Sequence, residues 1–244
     1  MTTATNPESP QSPPLPGRPD QLELGLERWR EAADRYDAKV RDAALDLLGD
    51  DRSRVLLNAI LGNSPFLTRC LLSEVPFAID VVTKPPDSSL ETALGVLDEA
   101  ALDTADTAAV NKALRVARRR IALVTAVGDL TGAWPLETVT ETLSRFADRA
   151  VALAAAHHLR RAGANGALTV DADDPLGQSG VFFLGLGKLG AFELNYSSDI
   201  DIAVSYDPER VSAPDPDRAR QALVRLTQAV VASLQDHTAD GFVF

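Results

Sequence analysis

The hydrophobic period of this chain changes once, at about Gly163, and that change confines it to a mostly helical α+β class. From Gln21 to that glycine the apolar residues recur at helical spacing: Leu22, Leu26, Trp29 and Ala33 stand at i, i+4, i+7 and i+11. Val55, Leu56, Ala59 and Ile60 mark a second helix, stopped near Gly62-Asn63. Ser64-Pro65 then reads as a cap followed by proline at the first helical position. Pro85-Pro86 breaks the chain, and Asp87 or Ser88 can cap a helix through Leu90, Leu94 and Leu97. Longer helices are expected from about Thr107 to Val127, and from Pro135 through Val139, Leu143, Phe146, Ala150 and Leu153. Trp29 and Trp134 fit packing in a core or at a domain junction.

After Gly163 come Gly166, Pro175, Gly177 and Gly180, a long connection. Val181 to Leu184 reads as a buried strand, and Ile200, Ile202 and Val204 alternate with Asp199, Asp201, Ala203 and Ser205 as a second. A loop through Pro208, Pro214, Asp215, Pro216 and Asp217 leads to a helix through Ala222, Leu226, Ala229 and Val230. Asp240-Gly241 is a turn signal, and Phe242-Val243-Phe244 reads as the start of a further strand.

Residues 1–20 hold six of the fifteen prolines with little apolar between them, so they are expected to be a disordered leader. Pro10-x-x-Pro13 and Pro13-x-x-Pro16 also fit the spacing of a polyproline ligand. The expected division is this leader, a helical region over 21–105 and a second domain over 106–244. The formal net charge of −11 argues against a nucleic-acid surface, so phosphate chemistry would have to be local. No apolar run reaches the roughly 18 residues of a membrane span, and no membrane partner is expected. A single cysteine, Cys70, excludes an internal disulfide and fits a cytoplasmic protein.

The chemistry concentrates between Val181 and Tyr206. Gly185-x-Gly187-x-x-Gly190 after a strand satisfies a dinucleotide fingerprint, with Asp207 about 20 residues on as the ribose acid. Geometry opposes that reading: only Ala191 to Ser198 separate Gly190 from Asp199, too few for the usual parallel crossover helix. A second reading uses other residues. A glycine turn with Lys188 opens a short helix, and the next strand presents Asp199 and Asp201 at i and i+2, on one face. Two carboxylates beside glycine amides and a lysine suit Mg²⁺ held against phosphates. The plain alternative is a solvated strand face beside an ordinary loop lysine.

The run GLGKLGAFELNYSSDIDIAVSYD, Gly185 to Asp207, resembles the glutamine synthetase adenylyltransferase/adenylyl-removing enzyme family, with its Gly-x-Gly-Lys-x-Gly, Glu193-Leu194-Asn195 and Ser198-Asp199-x-Asp201. Gly62-Asn63-Ser64-Pro65-Phe66-Leu67 resembles that family's Ser-Pro-aromatic-Leu turn, and Arg118-Arg119-Arg120 with Asp129-Leu130 its basic helix and Asp-Leu element. The resemblance covers about Val55 to Phe244. It implies a nucleotidyltransferase core related to DNA polymerase β after a helical part, and a match to the half that removes AMP from a tyrosine of glutamine synthetase by phosphorolysis, giving ADP. The other half attaches AMP from ATP. Phosphate is the co-substrate, and PII signalling protein is a regulator by family analogy.

On this resemblance Asp199 and Asp201 are catalytic and bind Mg²⁺, while Gly187, Lys188 and Ser198 hold phosphate. Glu193 and Asn195 support these residues or serve only the local fold. The family's third carboxylate would fall after Phe244. The chain is therefore expected to be an N-terminal fragment that binds metal and nucleotide weakly and lacks turnover. A helical interaction module with an incomplete nucleotidyltransferase core is the alternative, and a dinucleotide-dependent oxidoreductase the third. Arg118 to Arg120 are expected either to touch a nucleotide or partner, or to form a solvated helix face. His157 and His158, adjacent on a helix, make a poor metal pair, and His237 is expected at the surface.

Overall fold

A computed structural model describes residues 12–102, 106–213 and 216–244, and they form two compact units, each assembled from separate stretches of the chain. One unit gathers the described residues up to Ala93 with Arg119–Val139; the other gathers those of Leu94–Arg118 with Thr140–Phe244. The division expected at residue 105 falls on residues outside the description.

The first unit contains α1 (Pro19–Ala33), α2 (Ala38–Gly49), α3 (Asp51–Asn63), α4 (Pro65–Ser73) and α5 (Val75–Thr83). Its starts are written in side chains: Asp37 accepts from Val40 N, Asp50 from Ser53 N, and Ser64 from Leu67 N at 3.2 Å. The periodicity missed α2 and α5, which are short. Trp29 is fully buried, and its Nε1 donates to Ala44 O at 3.0 Å, so its one polar atom enters the core satisfied. Trp134 lies against Gly128, where a Cβ would sit 2.6 Å from the indole, and its Nε1 donates to Asp87 Oδ1.

The expectation of a disordered leader over residues 1–20 is corrected in its last described residues. Gly17 N donates to Asn63 Oδ1, Asn63 Nδ2 to Leu15 O, and Arg18 N to Gly62 O. Pro19 then opens α1. Asn63 and Gly62 supply polar partners that composition alone does not reveal. Pro7 and Pro10 lie outside the described residues, as do Pro214 and Asp215 of the later loop.

Three long helices follow: α6 (Pro86–Leu102), α7 (Thr107–Leu130) and α8 (Leu136–Ala164). After them come the single turn α9 (Pro175–Gln178), strand β1 (Val181–Leu186), the single turn α10 (Gly187–Gly190), strand β2 (Asp201–Tyr206) and α11 (Pro216–Gln235). In the second unit, Leu114, Phe146, Ala150, Ala154, Leu226 and Val230 are buried along α7, α8 and α11.

Strands β1 and β2 pair antiparallel, from Val181↔Tyr206 to Leu186↔Asp201. A dinucleotide-binding crossover needs parallel strands, so the fingerprint reading ends here. The expectation of a buried β1 is corrected as well: Val181 is buried, but Phe182, Leu184 and Leu186 are exposed. Within the described residues the sheet has two strands, and these three side chains lie on its outer face. The last residues are not in a strand: Val243 N and Phe244 N turn back to Leu234 O at the end of α11.

His157 and His158 are both buried, and their rings meet edge to face rather than flanking a common ligand. His157 Nε2 lies 2.8 Å from Thr107 Oγ1, and His158 Nε2 2.9 Å from Ser233 Oγ. Burial foremost, then the charges of His157 and Arg161, push the His158 pKa down to about 4. The folded protein therefore holds His158 neutral, while the unfolded chain protonates it near its ordinary value of about 6.5. Stability is expected to be flat in this group above pH 7 and to fall by roughly 1–2 kcal/mol as pH drops from about 6.5 toward 4. Melting midpoints across that range check this, and His158→Gln should flatten the slope. His237 is exposed, its ring against Phe242.

Candidate nucleotide and metal site

The site is built where β1 runs into the glycine turn and back along β2. At Gly187 the backbone turns left-handed, with φ of +52°, and a Cβ placed there would stand 3.3 Å from Asp201 Oδ2. The backbone angle favours glycine here, and the absence of a Cβ lets the carboxylate approach closely. At Gly190 a Cβ would be 2.6 Å from the Gly185 carbonyl, a backbone atom that cannot yield, so the turn also needs glycine there. The single turn α10 then closes with Phe192 N donating to Leu189 O and Glu193 N to Lys188 O, with Phe192 itself at φ +59°. This is the 6→1 and 5→2 pattern of a helix stop, with phenylalanine where glycine is usual.

Directly paired residues of antiparallel strands share a face. Asp201, Ala203 and Ser205 therefore share the outer face with Leu186, Leu184 and Phe182. Asp201 is exposed on that face, as the small and polar residues at 203 and 205 imply. Asp199 is exposed just ahead of the ladder, which opens at Asp201 rather than at Asp199. Lys188 is exposed on α10. The inner face, with Val181, Phe183 and Ile202, looks onto a groove of about 450 Å³ whose opposite wall is Asp148, Val151 and Ala152 of α8. Burial raises the Asp148 pKa there, with Arg145 opposing it.

Ser198 and Asn195 are occupied with one another. Ser198 Oγ donates to Asn195 Oδ1 at 2.8 Å, Asn195 N donates to Ser198 Oγ, and Ser197 N donates to Asn195 Oδ1. Asn195 thus shapes the turn into Asp199. Glu193 is exposed, its backbone N–H ending α10. The structure brings Gly187 against Asp201, and Asn195 against Ser198.

Two anchors of this loop escaped the sequence reading. Ser144, fully buried on α8, accepts from Leu194 N at 3.2 Å and donates to Thr140 O. A serine in an apolar helical stripe was the available signal. Arg118 on α7 donates to Tyr196 O and Val243 O, each at 3.2 Å. Arg120 forks onto the Glu74 carboxylate and lies over the Phe77 ring. Arg118 and Arg120 are held inside the fold, so the basic run is not simply a solvated face.

The donor set suits a hard divalent cation in one respect and is spare in another. Asp199 and Asp201 offer carboxylate oxygens, and Mg²⁺ is commonly held by one or two carboxylates with phosphates and waters completing its shell. Among the described residues no group of three or more His, Cys, Asp or Glu gathers as a metal cluster. None of the described helices is long and apolar enough to cross a membrane.

The structure thus joins a strand, a glycine turn bearing Lys188 and a returning strand that opens at Asp201, with Asp199 just ahead of it, and comparison with known proteins identifies the family. The chain belongs to the glutamate-ammonia ligase adenylyltransferase family, whose model matches residues 55–244. It is similar to the bifunctional glutamine synthetase adenylyltransferase/adenylyl-removing enzyme of a Bradyrhizobium species (strain BTAi1), at 35% identity over 93% of this chain and 23% of the relative. The like-named protein of Caulobacter vibrioides is 32% identical over 88% of this chain and 22% of its own length. That of Rhizobium meliloti is 42% identical over 54% of this chain and 13% of its own. The chain thus spans less than a quarter of the length of these curated relatives.

Proposed function

We propose that this chain forms the entry strands of a polymerase β-like nucleotidyltransferase core that removes AMP from adenylylated tyrosine of glutamine synthetase, within the regulation of that enzyme by adenylylation. The observation that carries the reading is the approach of Gly187 to the Asp201 carboxylate, which puts a glycine backbone and an acid side by side on an exposed surface. Asp199 and Asp201 would hold Mg²⁺, which when bound would neutralise phosphate charge and hold the reacting phosphates in line.

The backbone at Gly187, with the Lys188 ammonium, would receive phosphate oxygens, and the Ser198 backbone N–H or hydroxyl would assist. In the phosphorolysis, a phosphate oxygen attacks the α-phosphorus of the tyrosyl-AMP, the bond to the tyrosine oxygen breaks, tyrosine takes back its proton and ADP leaves. Adenylylation from ATP belongs to the other half of such a bifunctional enzyme, and PII protein is the expected regulator.

The 244-residue chain tests the binding half of this reading. ADP with Mg²⁺ is expected to raise its melting midpoint and protect the 187–201 segment from proteolysis, while ADP with EDTA is not. Asp201→Asn is expected to abolish the effect at an unchanged ligand-free midpoint, because the carboxylate is exposed and bears no core packing. An ADP effect that persists in Asp201→Asn would overturn the site. Partner binding with no nucleotide effect would favour the interaction-module reading. Turnover is expected of a chain extended past Phe244, where the resemblance puts the third carboxylate, as ADP released from adenylylated glutamine synthetase and phosphate.

A further inference from the structure

We infer that Arg118 is a positioning residue for the Asp199–Asp201 site, holding the loop that delivers both acids through two backbone carbonyls. The inference rests on the metal-site reading above and goes beyond it, to a residue on a distant helix with no direct contact to a cation.

The guanidinium of Arg118 reaches in two directions at once. Nε donates to Val243 O at 3.2 Å and Nη2 to Tyr196 O at 3.2 Å. Val243 is a fixed point: its side chain is fully buried, and its N–H donates to Leu234 O at the end of α11. Tyr196 is not fixed by burial, since its side chain is exposed. Arg118 therefore ties the acidic loop to a seated segment.

Two residues before Tyr196 the loop is pinned at Leu194 N by Ser144 Oγ, and the Asn195–Ser198 hydrogen bonds close the turn that runs past Tyr196 toward Asp199. With Leu194 and Tyr196 both held, the chain leaves Tyr196 in one direction, and three residues later comes Asp199. Arginine suits this post because its planar fork offers several donors in fixed directions, while lysine offers one charged centre. The basic run was expected either to touch a nucleotide or partner or to form a solvated face, and Arg118 adds to these a role played through the backbone.

Mn²⁺ binding to the 244-residue chain, read by electron paramagnetic resonance with the metal alone, tests the inference. Arg118→Met is expected to weaken Mn²⁺ binding about tenfold. Arg118→Lys, able to reach one carbonyl, should weaken it about threefold, at melting midpoints within a few degrees of the parent. That partial rescue by the conservative variant distinguishes loop positioning from general support of the fold. Arg145→Gln, at an exposed arginine of α8 outside the loop, should leave the affinity unchanged.

If Asp201→Asn loses Mn²⁺ while Arg118→Met and Arg118→Lys bind as the parent does, the inference fails and the metal-site reading stands. If Asp201→Asn itself binds as the parent does, the metal-site reading fails and takes the inference with it. Should Arg118→Met lose its cooperative melt, the lysine variant decides alone: threefold weakening at an unshifted midpoint supports the inference, and parental affinity overturns it.

Discussion

Arg115→Ala is expected to destabilise the protein by roughly 3–4 kcal/mol, seen as a fall of about 10 °C in melting midpoint. The guanidinium is 1% exposed and donates to four carbonyls: Asn111 O and Gly241 O at 2.9 Å, Ser233 O at 3.2 Å, and Asp236 O. It thereby satisfies Ser233 O, which the last turn of α11 leaves unpaired, and Asp236 O just past the helix, and holds the turn at Gly241. Truncation removes all four bonds and leaves a cavity beside buried oxygens. Burial pulls the Arg115 pKa down, and the carboxylates of Asp236 and Asp240 oppose that pull, so the charge is retained in place. Arg115→Lys keeps the charge but cannot fork onto four acceptors, and about half the loss should remain. Urea unfolding gives the comparison directly. A loss under 1 kcal/mol for the alanine variant would show that water replaces the guanidinium at little cost.

Gly187→Ala is expected to leave the fold in place and weaken Mg²⁺-dependent ADP binding more than tenfold. Two costs separate cleanly. A left-handed φ of +52° charges a non-glycine residue about 1 kcal/mol, which falls on stability. The added methyl would meet Asp201 Oδ2 at 3.3 Å, closer than most such contacts, and this falls on the carboxylate's position and on the space a phosphate would need. Melting and isothermal titration on one preparation distinguish the two. If affinity and stability fall by the same small free energy, the turn serves the fold alone.

The helical part was legible where the apolar stripe was long or where a capping residue and a proline together marked a start. Ser64-Pro65 announced α4, and the structure fulfils it with the Ser64 cap. Helices α2 and α5 were not legible because nine or twelve residues give too few repeats of the stripe to stand out. At the site, the glycines stood out because the turn needs them at Gly187 and Gly190, whereas Asp199 and Asp201 stood out by their spacing. The antiparallel pairing was foreshadowed only by the shortness of the link from Gly190 to Asp199. The anchors Ser144, Arg115 and Arg118 were beyond reach of local pattern: their partners are main-chain groups, which every residue possesses, and the loop and C-terminal partners of Ser144 and Arg118 stand 50 to 125 positions away. The exposure of β1 was misread because an apolar run reports a preference for burial, not the presence of a neighbour to supply it.

The arginines of α7 carry an expected order of folding in the length of chain that they close. Arg115 finds Gly241 across 126 positions and Arg118 finds Val243 across 125, whereas the helices α1 to α5 meet partners close in sequence. Closing a loop of that span costs entropy before any bond repays it. The guanidiniums must therefore stay in water while α7 forms, and can shed it only when the end of α11 arrives. Assembly of the acidic loop is tied to that late arrival, because Tyr196 is held by the same side chain that Val243 completes. The acidic loop is expected to be among the last parts of the fold to be secured.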